Sequence, residues 1–282
     1  MKSRILSAAV FALSTVFASA SVATAQEPKE SDYASDWRPL FNGKNLQGWH
    51  TFLQKHGRDS DPDRVITIED GAIHLYKDAK AGSEVVMGYI STDKDYGDYH
   101  FRCQYRWGDK KFQPRLALKK DAGLYYHIIG EDAVWPRSLQ CQIQEGDVGD
   151  LLALYGVQVD TWIDPATRSA KQKTFQDPSE GGEPVTLGGE GIGYQSKRGA
   201  YEIPGWNTLE ILVRGQTSEH RLNGKLVNRC RDIRVLDPKT KQAKPLFVGR
   251  IALEIEAAEM FYRDVEIRDF KPQATAAKGE AK

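Results

Sequence analysis

Apolar and polar residues alternate with period two along much of the chain, and the alternating runs end at glycine, aspartate and asparagine rather than at helix caps. In "YHFRCQYRW", Tyr99, Phe101, Cys103, Tyr105 and Trp107 fall on one side while His100, Arg102, Gln104 and Arg106 fall on the other. That pattern predicts a half-buried strand. "RVITIEDGAIHLY" places Asp70-Gly71 between two such runs, and "EHRLNGKLV" does the same with Asn223-Gly224. Two hairpins are predicted there, because the tight turn that joins twisted strands needs positive φ at both central residues. Further strands are expected in "TLEILVR", with Leu209, Ile211 and Val213 on one side, and in "GRIALEIE", with Ile251, Leu253 and Ile255 on one side. In "SLQCQIQEGDVGD", Leu139, Cys141 and Ile143 alternate with Gln140, Gln142 and Gln144. The segment after the N-terminus shows no amphipathic pattern of four helical turns, so an all-β antiparallel sandwich is predicted.

The first residues read differently. Lys2 and Arg4 precede an apolar run from Ile5 to Ala20 and the small-residue sequence Ala23-Thr24-Ala25, the pattern of a secretory signal peptide cleaved after Ala25. A periplasmic or secreted protein is therefore expected. Elsewhere no run approaches the roughly 20 apolar residues of a membrane span. The expected division is a signal peptide over 1–25, a flexible lead over 26–36, one domain over 37–270 and a disordered polar tail over 271–282. Within the domain, the Gly-, Lys- and Asp-rich stretch from about Asp164 to Arg198 is expected to be a functional loop.

Charge narrows the partners. Lys and Arg together number 39, as do Asp and Glu, and no basic stripe appears, so nucleic-acid binding is not expected. Cys103, Cys141 and Cys230 are odd in number and lack the close pairs of a zinc or redox motif, so at most one disulfide can form within the chain.

The row of amides is the first candidate site. A primary amide both donates and accepts, which matches sugar hydroxyls, and Trp135, Tyr125 and Tyr126 flank the strand with rings that stack on sugar faces. Glu145, Asp147 and Asp150 follow in a glycine-containing loop and suit either proton transfer or a divalent cation, calcium or a transition metal. His127 lies one short connection upstream and is a further proton-transfer candidate. Glu254 and Glu256 share the polar face of their strand, with Glu259 and Arg263 beyond them. GxSxG, HExxH and Walker patterns are absent, and "GGEGIG" at 188–193 lacks the flanking strand and helix of a dinucleotide site.

"LFNGKNLQGW", "DAGLYYHI", "SLQCQIQEGDVGD", "GWNTLEILVRG", "RLNGKLV" and "GRIALEIEAAEMFYRDVEI", in that order, resemble the 3-keto-disaccharide hydrolase family from about Trp37 to Phe270. The resemblance implies a concanavalin A-like jelly-roll sandwich with its ligand on a concave sheet face. It also implies cleavage of glycosides already oxidised at C3 by a separate sugar dehydrogenase, through elimination and hydration or through direct hydrolysis. A non-catalytic, lectin-like module of the same fold is the other reading. Under the enzymatic reading His127, Glu145 and Asp147 are the catalytic candidates, while Gln140, Gln142, Gln144, Trp135, Glu254, Glu256 and Arg263 would contact substrate. Gln142, Glu145 and Asp147 match the family pattern. Gln140 stands where relatives commonly carry glutamate, Glu254 where they often carry glutamine, and Arg263-Asp264 where Arg-Asn is common.

Overall fold

The computed structural model describes residues 27–272, so the signal peptide expected over 1–25 and the tail beyond Pro272 lie outside the described residues. The described chain is an antiparallel jelly-roll sandwich of two sheets. Its helical content among those residues is three short 3-10 turns, at Glu30–Asp32, Pro165–Thr167 and Pro178–Glu180. No helix among the described residues is long and apolar enough to cross a membrane.

One sheet runs, from edge to edge, through Ile192–Gln195, Leu151–Leu154, Leu139–Gln144, Asp121–Ile128, Arg250–Ile255, Gly88–Thr92, Trp49–Leu53 and Gly57–Arg58. The facing sheet has Thr217–Leu222, Asn207–Arg214, Tyr99–Lys111 and Ala258–Asp269 at its centre. Both predicted hairpins form, with φ of 49° and 76° at Asp70 and Gly71 and of 49° and 74° at Asn223 and Gly224. The 99–107 strand extends to Lys111.

The core lies between the sheets. Phe101, Cys103, Tyr105, Leu209, Ile211 and Val213 meet Leu124, Tyr126, Leu139, Cys141, Ile143, Ile251, Leu253 and Ile255 there. Because side chains alternate across a strand, the residues between these must stand on the opposite face. That rule places Gln140, Gln142, Gln144 and Glu254 together on the side of the smaller sheet turned away from the core. Cys103, Cys141 and Cys230 are buried and unbridged.

Two expectations about connections change. The segment from Asp164 to Arg198 contains the strands Glu183–Gly188 and Ile192–Gln195 and is not a single loop. Residues 27–36 are docked rather than free: Tyr33 stacks on Phe270 at 4.7 Å between ring centroids, and its hydroxyl bonds His100 Nδ1 at 2.8 Å. Ala34 N–H adds a backbone bond to Asp269 O. The aromatic ring supplies apolar area that holds the segment down.

Candidate active site

Pairing in the smaller sheet fixes the neighbours of the amide row. Gln144 pairs with Asp121, Gln142 with Gly123 and Gln140 with Tyr125. On the other side of the Asp121–Ile128 strand, Leu253 pairs with Leu124, which sets Glu254 beside Gly123. Asp121 also bridges Glu256. Three carboxyls and three amides therefore converge on one face.

The contacts are specific. Gln140 Nε2 donates to Glu254 Oε2 at 2.7 Å, and the Tyr125 hydroxyl donates to Glu254 Oε1. Gln142 Nε2 donates to Asp121 Oδ1 at 2.5 Å and Gln144 Nε2 to Asp121 Oδ2 at 2.7 Å. Arg115, on the connection leading into this strand, ion-pairs with Asp121 and reaches Glu256 Oε1 at 2.9 Å. Gly123 is required by this packing, since a Cβ there would collide with Gln140 Nε2 and Glu254 Oε2.

Burial shifts the acids of this cluster. Asp121 is 3% exposed, Glu254 2% and Glu256 7%. Burial, then the charge of Glu256, pushes Asp121 up to about 7 despite Arg115. Glu254 is pushed well above the usual carboxylate range by burial and by the charges of Glu256 and Asp121. Burial also raises Glu256, although Arg115 and a bond with Glu254 oppose the rise. Neighbouring carboxyls whose surroundings raise them to different extents are an arrangement that can both give and take a proton.

Beyond the cluster the same face continues as a buried apolar patch of Tyr89, Tyr125, Ile128, Leu154 and Ala252, with Phe52 and Leu152 against it. Asp132, on the 129–138 connection, accepts from the Tyr89 hydroxyl at 2.9 Å, Arg250 Nη1 at 2.7 Å and Arg58 Nη1 at 3.0 Å. These bonds pin that connection beside the patch.

The structure redistributes the residues expected from sequence. The amide N–H groups of Gln140, Gln142 and Gln144 are committed to carboxylates, so the row scaffolds acids rather than facing hydroxyls freely. Glu254 and Glu256 are buried acids rather than an open floor. His127 is fully buried, its two ring nitrogens have no hydrogen-bond partner, and burial pushes it down to about 4. The cause is a β-bulge: between the pairs Tyr125–Ala252 and Ile128–Arg250 the strand holds one residue too many, and His127 takes φ 53°. The alternation that puts Tyr125 on the site face therefore does not carry on to His127.

Glu145 is exposed, and Asp147 pairs with Lys119 at 2.5 Å on the surface, so neither joins the cluster. Asp150 is buried, accepts from the Tyr194 hydroxyl and from Lys197 N at 2.7 Å, and is pushed by burial to about 6. Trp135 is exposed on the 129–138 connection. Tyr126 belongs to the core, where its hydroxyl bonds Ser218 Oγ at 2.7 Å and His220 Nε2 at 2.8 Å. Arg263 lies in the other sheet, donating to Gln104 Oε1 at 2.8 Å with its guanidinium 4.0 Å from the Trp206 ring centroid.

Sequence reading missed Asp121, Arg115 and Gly123. Asp121 was visible in "DAGLYYHI", where Asp121, Gly123 and Tyr125 alternate with Ala122, Leu124 and Tyr126. Arg115 had no such signal, because a connection carries no periodicity. As for a cation, no group of three or more His, Cys, Asp or Glu is arranged to hold a metal ion among the described residues. The donor set does not fit one either: Asp121 Oδ1 accepts from Gln142 and Ala122 N, and Oδ2 from Gln144 and Arg115.

A family model described as a 3-keto-alpha-glucoside-1,2-lyase-like domain matches residues 36–268. No match is found among curated proteins. Among solved structures, a protein from Parabacteroides distasonis provisionally described as a glycosyl hydrolase is 18% identical with a TM-score of 0.49, covering 87% of this chain and 99% of its own. A Bacillus licheniformis beta-glucanase is 7% identical with a TM-score of 0.44, covering 84% and 98%. A carbohydrate-binding module from Bacillus subtilis is 11% identical with a TM-score of 0.41, covering 79% and 96%.

Proposed function

The chain belongs to the 3-keto-alpha-glucoside-1,2-lyase-like family, and from that premise we propose that it is an exported enzyme that cleaves 3-keto glycosides by elimination followed by hydration. The observation that carries this reading is the buried convergence of Asp121, Glu254 and Glu256, whose bonds to Arg115, Tyr125 and the glutamines hold them on one face, with burial raising all three carboxyls. A ketone at C3 acidifies the hydrogen on C2, so a carboxylate whose basicity burial has raised becomes an adequate base. Asp121 takes that proton on an oxygen freed when Gln142 or Gln144 turns its amide toward the substrate. Glu254, sharing its proton with Glu256, supplies the one that leaves with the C1 oxygen. Water then adds at C1 of the resulting enone.

The ketone must be made first, so a sugar dehydrogenase acts upstream. Export rests on the N-terminal Lys2, Arg4 and apolar run. The test is incubation of the purified mature protein with 3-keto glucosides and 3-keto disaccharides in heavy water, with products read by mass spectrometry. Free sugar carrying deuterium at C2 supports elimination. Sugar released without deuterium replaces elimination by direct hydrolysis, and binding without release replaces the enzyme by a lectin-like module.

A further inference from the structure

We propose that Arg115 is a further catalytic residue, whose guanidinium donates to the substrate oxygen that becomes negative as Asp121 removes the C2 proton. The inference rests on the reading above and adds the group that stabilises the intermediate.

Three observations converge on Arg115. Its two terminal nitrogens hold Asp121 and Glu256, so it is the cation shared by two of the three buried acids. Its Nε is buried and has no hydrogen-bond partner, which leaves one N–H of the guanidinium fork uncommitted. Its side chain is 23% exposed, against 3% for Asp121 and 8% for Glu256. Of the three side chains, that of Arg115 is thus the most open to solvent. Gln142 supplies a complementary feature: its Oε1 is also buried without a partner, beside Asp121. A buried orphan donor and a buried orphan acceptor each cost free energy until a partner arrives. A sugar with a carbonyl and a neighbouring hydroxyl supplies both partners.

The charge balance favours the same residue. When the C2–H bond breaks, the proton goes to Asp121 and the electron pair moves toward C3, whose oxygen becomes an enolate. Negative charge leaves Asp121 as it appears on substrate. A guanidinium that is always protonated and already bound to Asp121 can follow that charge over a short path, so the low-dielectric site never holds an uncompensated anion. In the second half-step the enolate pair re-forms the C3 carbonyl, the C1–O bond breaks with its electrons, and the leaving oxygen takes the proton shared by Glu254 and Glu256. Atoms and charge balance without an outside reactant.

The experiment separates this role from a structural one. A 3-keto sugar with no leaving group at C1 is incubated in heavy water, and C2 deuterium uptake is followed alongside cleavage of a 3-keto glucoside. Wild type, Arg115→Ala, Arg115→Lys and the charge-conserving pair Arg115→Ala/Glu256→Gln are compared. Uptake and kcat are expected to fall about 100-fold or more without the guanidinium, as for loss of one preorganised oxyanion donor, with KM changed far less. Millimolar guanidinium ion should restore part of the loss in the alanine variants, and lysine should restore less than arginine. If the double variant folds and exchanges within threefold of wild type, the role of Arg115 is overturned while the enzymatic reading stands. If wild type neither exchanges nor cleaves, both fall.

Discussion

Gln140 Nε2 donates to Glu254 Oε2 at 2.7 Å across the surface of Gly123, whose missing side chain makes room for the contact. The resemblance implies glutamate at the first position and glutamine at the second in many relatives. The two departures thus touch each other, and an amide–carboxyl pair is kept with its polarity reversed. A single change should break the pair and the double change should rebuild it. Gln140→Glu alone sets two buried carboxyls face to face, whereas Gln140→Glu/Glu254→Gln should recover stability, with a coupling of about 0.5–3 kcal/mol in a double-mutant cycle. Urea unfolding of the four proteins measures it.

Gly123 is the second point of leverage. Gly123→Ala pushes a methyl group into the Gln140–Glu254 contact, and overpacking of this kind costs about 1–3 kcal/mol. The variant should fold with a lower midpoint in thermal unfolding and should lose turnover more than Gly224→Ala, which lies in a hairpin turn with open space around it. Equal effects on turnover would contradict the placement of Gly123.

Stability should carry the signature of Asp121. Its folded pKa, about 7, lies above the unfolded value of about 3.9, so the folded state binds the extra proton. The corresponding stability is full below the unfolded value and is lost as pH rises toward 7, at about 1.36 kcal/mol per unit of difference. His127 and His220 act oppositely: burial pushes both down to about 4, and their contribution is lost as pH falls from 6.5 toward that value. Comparing wild type with Asp121→Asn cancels the histidines. The difference in unfolding free energy should therefore change between pH 4 and 7 and level off above it.

His127→Phe and Arg263→Gln should each retain turnover. The histidine is enclosed with both nitrogens unpartnered, and the arginine stacks on Trp206 in the opposite sheet. Steady-state kinetics on a 3-keto glucoside would check both, and a loss beyond tenfold with intact folding would restore either residue to the site.

These residues show what was legible. Alternation in "LQCQIQ" and "RIALEI" placed the amides and Glu254 on one face correctly, because a regular strand converts sequence parity directly into geometry. It failed at His127, where one inserted residue reverses parity, and a bulge leaves no mark in hydrophobicity. Glu145 and Asp147 attracted notice through proximity in sequence to the amides, yet the turn that follows the strand carries them to solvent. Arg115 reached the cluster from a connection whose path depends on tertiary contacts, including Gln113 N–H to Ser83 O. The fold could thus be read from local periodicity, whereas the cluster depended on which strands became neighbours across more than a hundred residues, as Asp121 and Glu256 did.

Opposite proton transfers require Asp121 and Glu254 to differ in protonation at neutral pH, a difference that carbon-13 NMR titration of labelled side-chain carboxyls reads group by group, with Asp121→Asn and Glu254→Gln supplying assignments. A resonance titrating near pH 7 that vanishes in Asp121→Asn is expected, together with a Glu254 carboxyl that stays protonated to higher pH than ordinary carboxylates. If both groups instead titrate in the ordinary range of about 4, the acid–base pair does not exist and the proposed chemistry loses its base and its acid together.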